Sequence, residues 1–400
     1  MGSRAVPTEA QRRGRSVTEA PSVRDKFNVL YFVYNTEDAA VIRRVKMFEA
    51  AGLRVLIAGF RRREEPVNMI SQSQVVDLGR TFDAKLTGRL GSIARSVPRA
   101  IALGRHVSPT GSIVARNLEA RLLATAARWN PSARLASIAY EVLDIHASLT
   151  SGGWKSAALR WIERRLLRSS THLVISSPAF VSSYFAPALH ASHSVVLVEN
   201  KVFQPAPCAG PAPRREIGAR PIAIGWHGIL RCRKSLLLML AMTAECPGRF
   251  RIHISGRVAA TAIPDFAQLI AGRADVVFHG PYDSRSGLTA LYRRIDFMWS
   301  IDYFEEGKNS VWLLPNRLYE ACLYGVVPIA LEGTQTAAWL QERRCGVIVD
   351  SDNIGAVTQT LLEASLEYST LQNDVSSLPR TDVVATRDEC MRLAAALRIT

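Results

Sequence analysis

From Phe27 onward, short apolar runs alternate with helical spacings. Phe27 to Tyr34 is an apolar run closed by Asn35-Thr36, Val41, Val45 and Phe48 recur at helical intervals between Glu37 and Ala51, and beyond Gly52 the stretch Arg54 to Phe60 is apolar again. This pattern predicts a β-α-β opening, the start of a doubly wound parallel sheet. Further strand-like runs lie at Ser112 to Ala115, Leu135 to Tyr140, Thr171 to Ser176 and Val195 to Glu199, with an amphipathic helix over Leu159 to Leu167. Phe203 to Arg220, with four prolines and two glycines, interrupts the alternation and reads as a linker. The β-α rhythm resumes at Pro221 to Trp226 and continues through Phe250 to Ser255, Val276 to His279, Phe297 to Ile301 and Val327 to Leu331; Thr381 to Leu397 is helical. The chain is thus read as α/β, with two Rossmann-like doubly wound domains over 27–202 and 221–380, a leader over 1–26, a linker over 203–220 and a C-terminal helix within 381–400.

Length supports two cores, since 400 residues exceed what one ordinary core holds. At 48% hydrophobic and 21% charged the composition is globular. No apolar run reaches the 18 to 20 residues of a membrane span. Met1 to Lys26 is Arg-rich without the apolar core of a signal peptide, and is read as a disordered basic leader on a cytoplasmic protein. Cysteines at 208, 232, 246, 322, 345 and 390 form no Cys-x-x-Cys pair, which predicts reduced thiols rather than a zinc site or disulfide framework.

Charge changes the picture more. The net +15 is divided unevenly: residues 1–200 hold 28 Lys/Arg against 15 Asp/Glu, a net +13, and residues 201–400 hold 22 against 20, a net +2. A basic first half suits an anionic membrane surface. Nucleic acid is disfavoured, because no recognised binding motif or interleaved aromatic row accompanies the basic residues. Arg160, Arg164, Arg165 and Arg168 make one positive helical stripe that suits lipid head groups or plain solvent.

Candidate chemistry sits where strands end, because the carboxyl ends of parallel strands line the ligand crevice. In the first half these positions are Arg116-Asn117 and Glu141 with Asp144-Ile145-His146. No Gly-x-Gly-x-x-Gly stands at the first turn, which argues against an ordinary dinucleotide dehydrogenase. In the second half Gly225-Trp226-His227-Gly228-Ile229-Leu230-Arg231-Cys232-Arg233-Lys234-Ser235 brings three cations to a predicted helix start, where only a bound anion makes cations favourable. The densest signal runs from Asn309 through Leu314-Pro315-Asn316-Arg317-Leu318-Tyr319-Glu320-Ala321 to Gly325-Val326-Val327-Pro328. Pro315 suits a first helical turn and Gly325 a helix end. A helix N-terminus facing a cleft suits a diphosphate, and Glu320, one to two turns in, suits the two hydroxyls of a ribose.

This segment resembles the nucleotide-sugar site of GT-B-fold glycosyltransferases related to family 4. Trp299-Ser300-Ile301-Asp302 with Asn309 to Arg317 resembles more closely the glycosyltransferases of succinoglycan-type exopolysaccharide assembly. The resemblance spans roughly residues 27 to 345. It implies two domains facing across a cleft, a C-terminal helix crossing back onto the first, and transfer of a hexose from a nucleotide diphosphate sugar, UDP-glucose foremost. The acceptor it implies is a polyprenyl-diphosphate-linked oligosaccharide at the inner face of the cytoplasmic membrane. It assigns Glu320 to the ribose, and Arg231 or Arg233 with Lys234 to the diphosphate, Asn316 and Arg317 lying near it. With those cations neutralising the leaving group, no metal or cofactor is expected. Where the family carries an acid that touches the donor sugar, this chain has Trp312; Glu306 and Asn309 are the substitutes weighed. If the anomeric centre inverts, Asp144 or His146 is the candidate base and Glu141 a weaker one. Arg116 and Asn117 complete the substrate-facing set. The alternatives are a nucleotide-sugar epimerase on the same fold and an inactive scaffold of the polysaccharide machinery. Retention or inversion, linkage and oligomeric state are not legible in the sequence.

Overall fold

A computed structural model describes residues 25–81, 86–190, 193–204, 210–211, 220–282 and 287–397. The leader, apart from residues 25–26, and most of the 203–220 linker lie outside the described residues.

The first half forms eight strands: β1 (Phe27–Val33), β2 (Val55–Arg61), β3 (Met69–Ile70), β4 (Ser73–Arg80), β5 (Val107–Arg116), β6 (Ser137–Val142), β7 (His172–Ile175) and β8 (Ser194–Leu197). They form one sheet in the order β3-β4-β2-β1-β5-β6-β7-β8. All neighbours pair in parallel except the edge strand β3, which is antiparallel to β4. Strand β1 shows why the middle of such a sheet reads as an unbroken apolar run. Leu30 and Phe32 pack on one face, Val29, Tyr31 and Val33 on the other, so both alternating sets are buried. The second half has six strands, β9 (Ile222–Leu230), β10 (Phe250–Val258), β11 (Val276–Phe278), β12 (Phe297–Trp299), β13 (Val327–Leu331) and β14 (Val347–Val349). Their order is β11-β10-β9-β12-β13-β14, parallel throughout. Strand order reverses beside β1 in the first sheet and beside β9 in the second, and the crevice beyond such reversals is where ligands bind.

Some elements differ from the sequence reading. Strands β3, β4 and β14 were not anticipated: β4 is only partly buried and β14 is three residues long, so neither leaves a long apolar run. Strand β9 runs on to Leu230, so Gly225 to Ile229 is strand rather than loop. It lies against β10 with Gly228 opposite Gly256, where a Cβ on Gly256 would meet the Gly228 carbonyl at 1.8 Å. The predicted helix over Thr381 to Leu397 is two, Arg380–Val383 and Arg387–Ala396, because Val384 pairs with Val202 in a parallel bridge between them. A capping box of Thr386 and Glu389 starts the second helix, which lays Leu393 and Leu397 into the first-domain core beside Val41 and Val45.

Residues 309–316 of the second half dock on the first. Asn309, wholly buried, accepts from the Ile145 N–H at 3.0 Å and donates to Asp144. Trp312 and Leu313 pack against the cluster around Tyr140 and Phe180, Ser177 donates to the Trp312 carbonyl, and Asn200 donates to the Leu314 carbonyl at 2.9 Å.

Candidate active site

Between the two sheets lies a cleft of about 560 Å³. The first domain contributes Asp38, Arg43 and Lys46 from the start of helix Ala39–Ala50, Asp144 from beyond β6, and Asn200 from beyond β8. Facing them are Arg231 after β9, Asp302 after β12, and Asn316, Arg317 and Glu320 of helix Asn316–Leu323. Trp226, Tyr282, Leu288 and Tyr324 supply an apolar wall.

Helix Asn316–Leu323 begins one residue later than the sequence suggests: Pro315 is the extended cap residue, φ −75° and ψ 150°, not the first helical one. Its N-terminal N–H groups and partial positive charge open on the cleft. Glu320 is held by the buried Tyr292 hydroxyl, which donates to its Oε2 at 2.7 Å. Tyr292 is fixed in turn by stacking on Tyr324 at 5.2 Å and by edge contact with His227. Burial raises the Glu320 carboxyl above its ordinary range, against the Tyr292 hydrogen bond and the charges of Arg43 and Arg317. Arg317 donates to the Ser300 and Ile301 carbonyls at 3.4 and 3.3 Å, while its buried Nε has no partner. Such a donor beside a helix N-terminus suits an anion.

Arg231 reaches Asp302 at 3.5 Å and Asp144 at 3.9 Å, and its guanidinium lies over the Phe304 ring. Arg233 does not share the cleft: it pairs with Asp265 at 2.6 Å on the outer surface. The geometry therefore separates the two arginines that spacing left open. Lys234, expected at the diphosphate, also stands outside the cleft lining, between Glu306 at 2.9 Å and Asp352 at 2.5 Å. Glu306 is accordingly a partner of Lys234 and not part of the cleft wall. Its neighbour Glu305 turns inward toward Asp144 and Arg231, and burial with the Asp144 charge raises its carboxyl.

Five further positions differ from the sequence reading. Asn309 does not line the cleft; it is the joint that holds Asp144. His146 caps the short helix Ala147–Thr150 by accepting from the Ser148 N–H, which leaves Asp144 as the cleft carboxylate of that strand end. The Asp144 side chain stays 53% exposed, beside Arg231 and the Asn309 amide. Arg116 is buried under the cleft floor, donating to Glu141 at 2.9 Å and to the Ala40 carbonyl at 3.2 Å. Asn117 begins helix Asn117–Ala127 at φ +71°, a left-handed turn that asparagine tolerates. Glu141 is 1% exposed between Arg116 and Arg44; burial alone would raise its carboxyl, but the two guanidinium groups hold it at about 2. A base that never protonates at working pH has no place in proton transfer.

Sequence reasoning missed Arg43, Asp302 and Tyr292. Asp302 carried a signal, since it closes the Trp299-Ser300-Ile301-Asp302 segment at a strand end; Arg43 carried none, because only the docking of the domains brings it to Asn316.

No protein-family model matches the chain. It is 37% identical over 342 residues, 83% of each chain, to the succinoglycan biosynthesis protein ExoL of Rhizobium meliloti (strain 1021). Among solved structures, a sucrose-phosphate synthase from Thermosynechococcus elongatus superimposes with a TM-score of 0.67 at 12% identity, covering 92% of this chain and 96% of that one. Anabaena Alr3699/HepE in complex with UDP and glucose gives 0.66 at 14% identity, covering 92% and 98%. The same Anabaena protein has also been solved with UDP-glucose. The chain belongs to the family of the succinoglycan biosynthesis protein ExoL and has the two-domain GT-B fold of these solved structures.

Proposed function

We propose that this chain transfers a hexose, glucose foremost, from a uridine diphosphate sugar to a polyprenyl-diphosphate-linked oligosaccharide during exopolysaccharide assembly. The observation that carries the reading is Glu320, anchored by Tyr292 at the cleft wall one turn inside a helix whose N-terminus opens on the same cleft. Its free oxygen takes ribose hydroxyls while the helix end, Arg317 and Arg231 take the diphosphate. The name of the Rhizobium relative and the UDP-glucose complex of the Anabaena fold neighbour support the same donor and pathway class.

In this mechanism the bond between the anomeric carbon and the diphosphate oxygen breaks as the acceptor oxygen attacks. Arg231 and Arg317 stabilise the charge that grows on the departing diphosphate, so the reaction uses no metal. Asp144, a carboxylate of the first-domain wall, takes the acceptor hydroxyl proton, and Asn309 holds it in place.

No helix of the described residues is long and apolar enough to cross a membrane. Helix Trp154–Arg168 supports docking at an anionic surface. Trp154 and Trp161 are 77% and 68% exposed, and with Arg164, Arg165 and Arg168 they share its outer face. Arg160 leaves the expected stripe, since it donates to the Leu149 carbonyl at 2.8 Å.

Calorimetric titration with UDP, UDP-glucose, GDP and ADP tests the donor site. We expect selective uridine-nucleotide binding in the wild type and its loss in Glu320→Ala. Absence of nucleotide binding in the wild type would refute the proposal.

A further inference from the structure

We propose that Arg43, on the wall opposite Arg231, grips the donor diphosphate from the first domain, so that the anion is clamped by both halves of the chain. The inference rests on the donor reading above and adds a residue from the domain that reading assigns to the acceptor.

Arg43 lies on helix Ala39–Ala50 of the first domain, yet it donates to the side-chain oxygen of Asn316 at 3.1 Å, 273 residues away, and to that of Asn200 at 2.7 Å. Asn316 is the first residue of the helix that carries Glu320. A guanidinium is thereby held at the positive end of a helix dipole, and its hydrogen-bond partners among the described residues are neutral amide oxygens. That arrangement is unfavourable alone and favourable with an anion between the two. Hydrogen bonds from a guanidinium to phosphate are roughly twice as strong as those to neutral acceptors, so a diphosphate displaces the asparagines.

Three further observations point the same way. Arg317 lines the cleft with a buried Nε that has no partner. Lys46, one turn beyond Arg43, lines the same wall and has no ion pair among the described residues. Lys234, which the family pattern would place at the diphosphate, is occupied by Glu306 and Asp352 outside the cleft lining. With Lys234 so occupied, Arg231 and Arg317 are the second domain's cations at the diphosphate, and Arg43 adds one from the first domain. Burial with the charges of Arg44 and Arg116 lowers the Arg43 pKa to about 10, against the nearby Glu320 and Asp38 carboxylates.

The test is calorimetry on the full chain with three probes, UDP, uridine and inorganic pyrophosphate, in wild type, Arg43→Gln and Arg43→Lys. Glutamine removes the charge and leaves a shorter amide. We expect Arg43→Gln to bind UDP and pyrophosphate about ten- to a hundredfold more weakly, with uridine affinity unchanged and lysine restoring part of the loss. UDP and pyrophosphate bound as tightly by Arg43→Gln as by wild type would overturn the clamp and leave the donor reading standing. Pyrophosphate binding that needs Arg43, in a wild type that binds no nucleotide, would keep the clamp and overturn the donor reading. If wild type bound neither, both would fall. Loss of uridine together with UDP in Arg43→Gln, with a lowered melting temperature, would mark Arg43 as a structural strut and overturn the clamp.

Discussion

Glu141→Gln separates a structural carboxylate from a catalytic one. Glu141 receives hydrogen bonds from the Tyr31 hydroxyl, from Arg44 Nε at 2.5 Å and from Arg116 Nε at 2.9 Å, and the two arginines are themselves 5% and 4% exposed. Replacing the carboxylate by an amide leaves two buried guanidinium groups with Asp38, 3.8 Å from Arg116, as the remaining counter-charge. Removing one partner of a buried ion cluster costs about 3–5 kcal/mol. A second route gives a similar figure. Lowering a carboxyl from its ordinary 4.5 to about 2 is worth about 3 kcal/mol, at about 1.4 kcal/mol for each tenfold gain in acidity. Because the folded state holds the carboxyl below its unfolded value, this stability is complete above about pH 4.5 and disappears as pH falls toward 2. Urea unfolding followed by far-UV circular dichroism from pH 7 down to pH 3 is the assay. The variant should be destabilised at pH 7, and the gap to wild type should narrow on acidification. A fully stable Glu141→Gln protein that has lost only turnover would refute this reasoning and return Glu141 to the chemistry.

Two other substitutions probe the joint and the membrane face. Asn309→Ala leaves the buried Ile145 N–H without an acceptor, costing about 1–3 kcal/mol, and frees Asp144. Turnover should fall at unchanged UDP affinity, and unaltered turnover would show that Asp144 needs no such support. Trp154→Ala combined with Trp161→Ala touches no core and should leave melting unchanged. It should weaken co-sedimentation with phosphatidylglycerol vesicles by about 3 kcal/mol, roughly a hundredfold; equal sedimentation would place the membrane face elsewhere.

Much of the architecture is written locally. Central strands such as β1 and β13 are buried on both faces, so they must be unbroken apolar runs, and such runs are legible one segment at a time. Edge elements such as β3 and β4 bury too little to leave that mark. The donor helix was legible for the same local reason: Glu320 sits at a fixed helical distance from Pro315 and Gly325 whatever surrounds it. By itself, then, the sequence determined the α/β class, the two-domain division and the segment that carries Glu320. Which side chains converge was decided by tertiary structure alone. Arg231 and Arg233 are two residues apart, yet one faces the cleft and the other Asp265, because the helix starts at Arg233 and turns it outward. Asn309, a sugar contact by sequence pattern, is instead a buried joint, and Arg43 reaches Asn316 across 273 residues. Such contacts depend on how two separately folded sheets dock, and the relative position of distant segments leaves no periodicity in either.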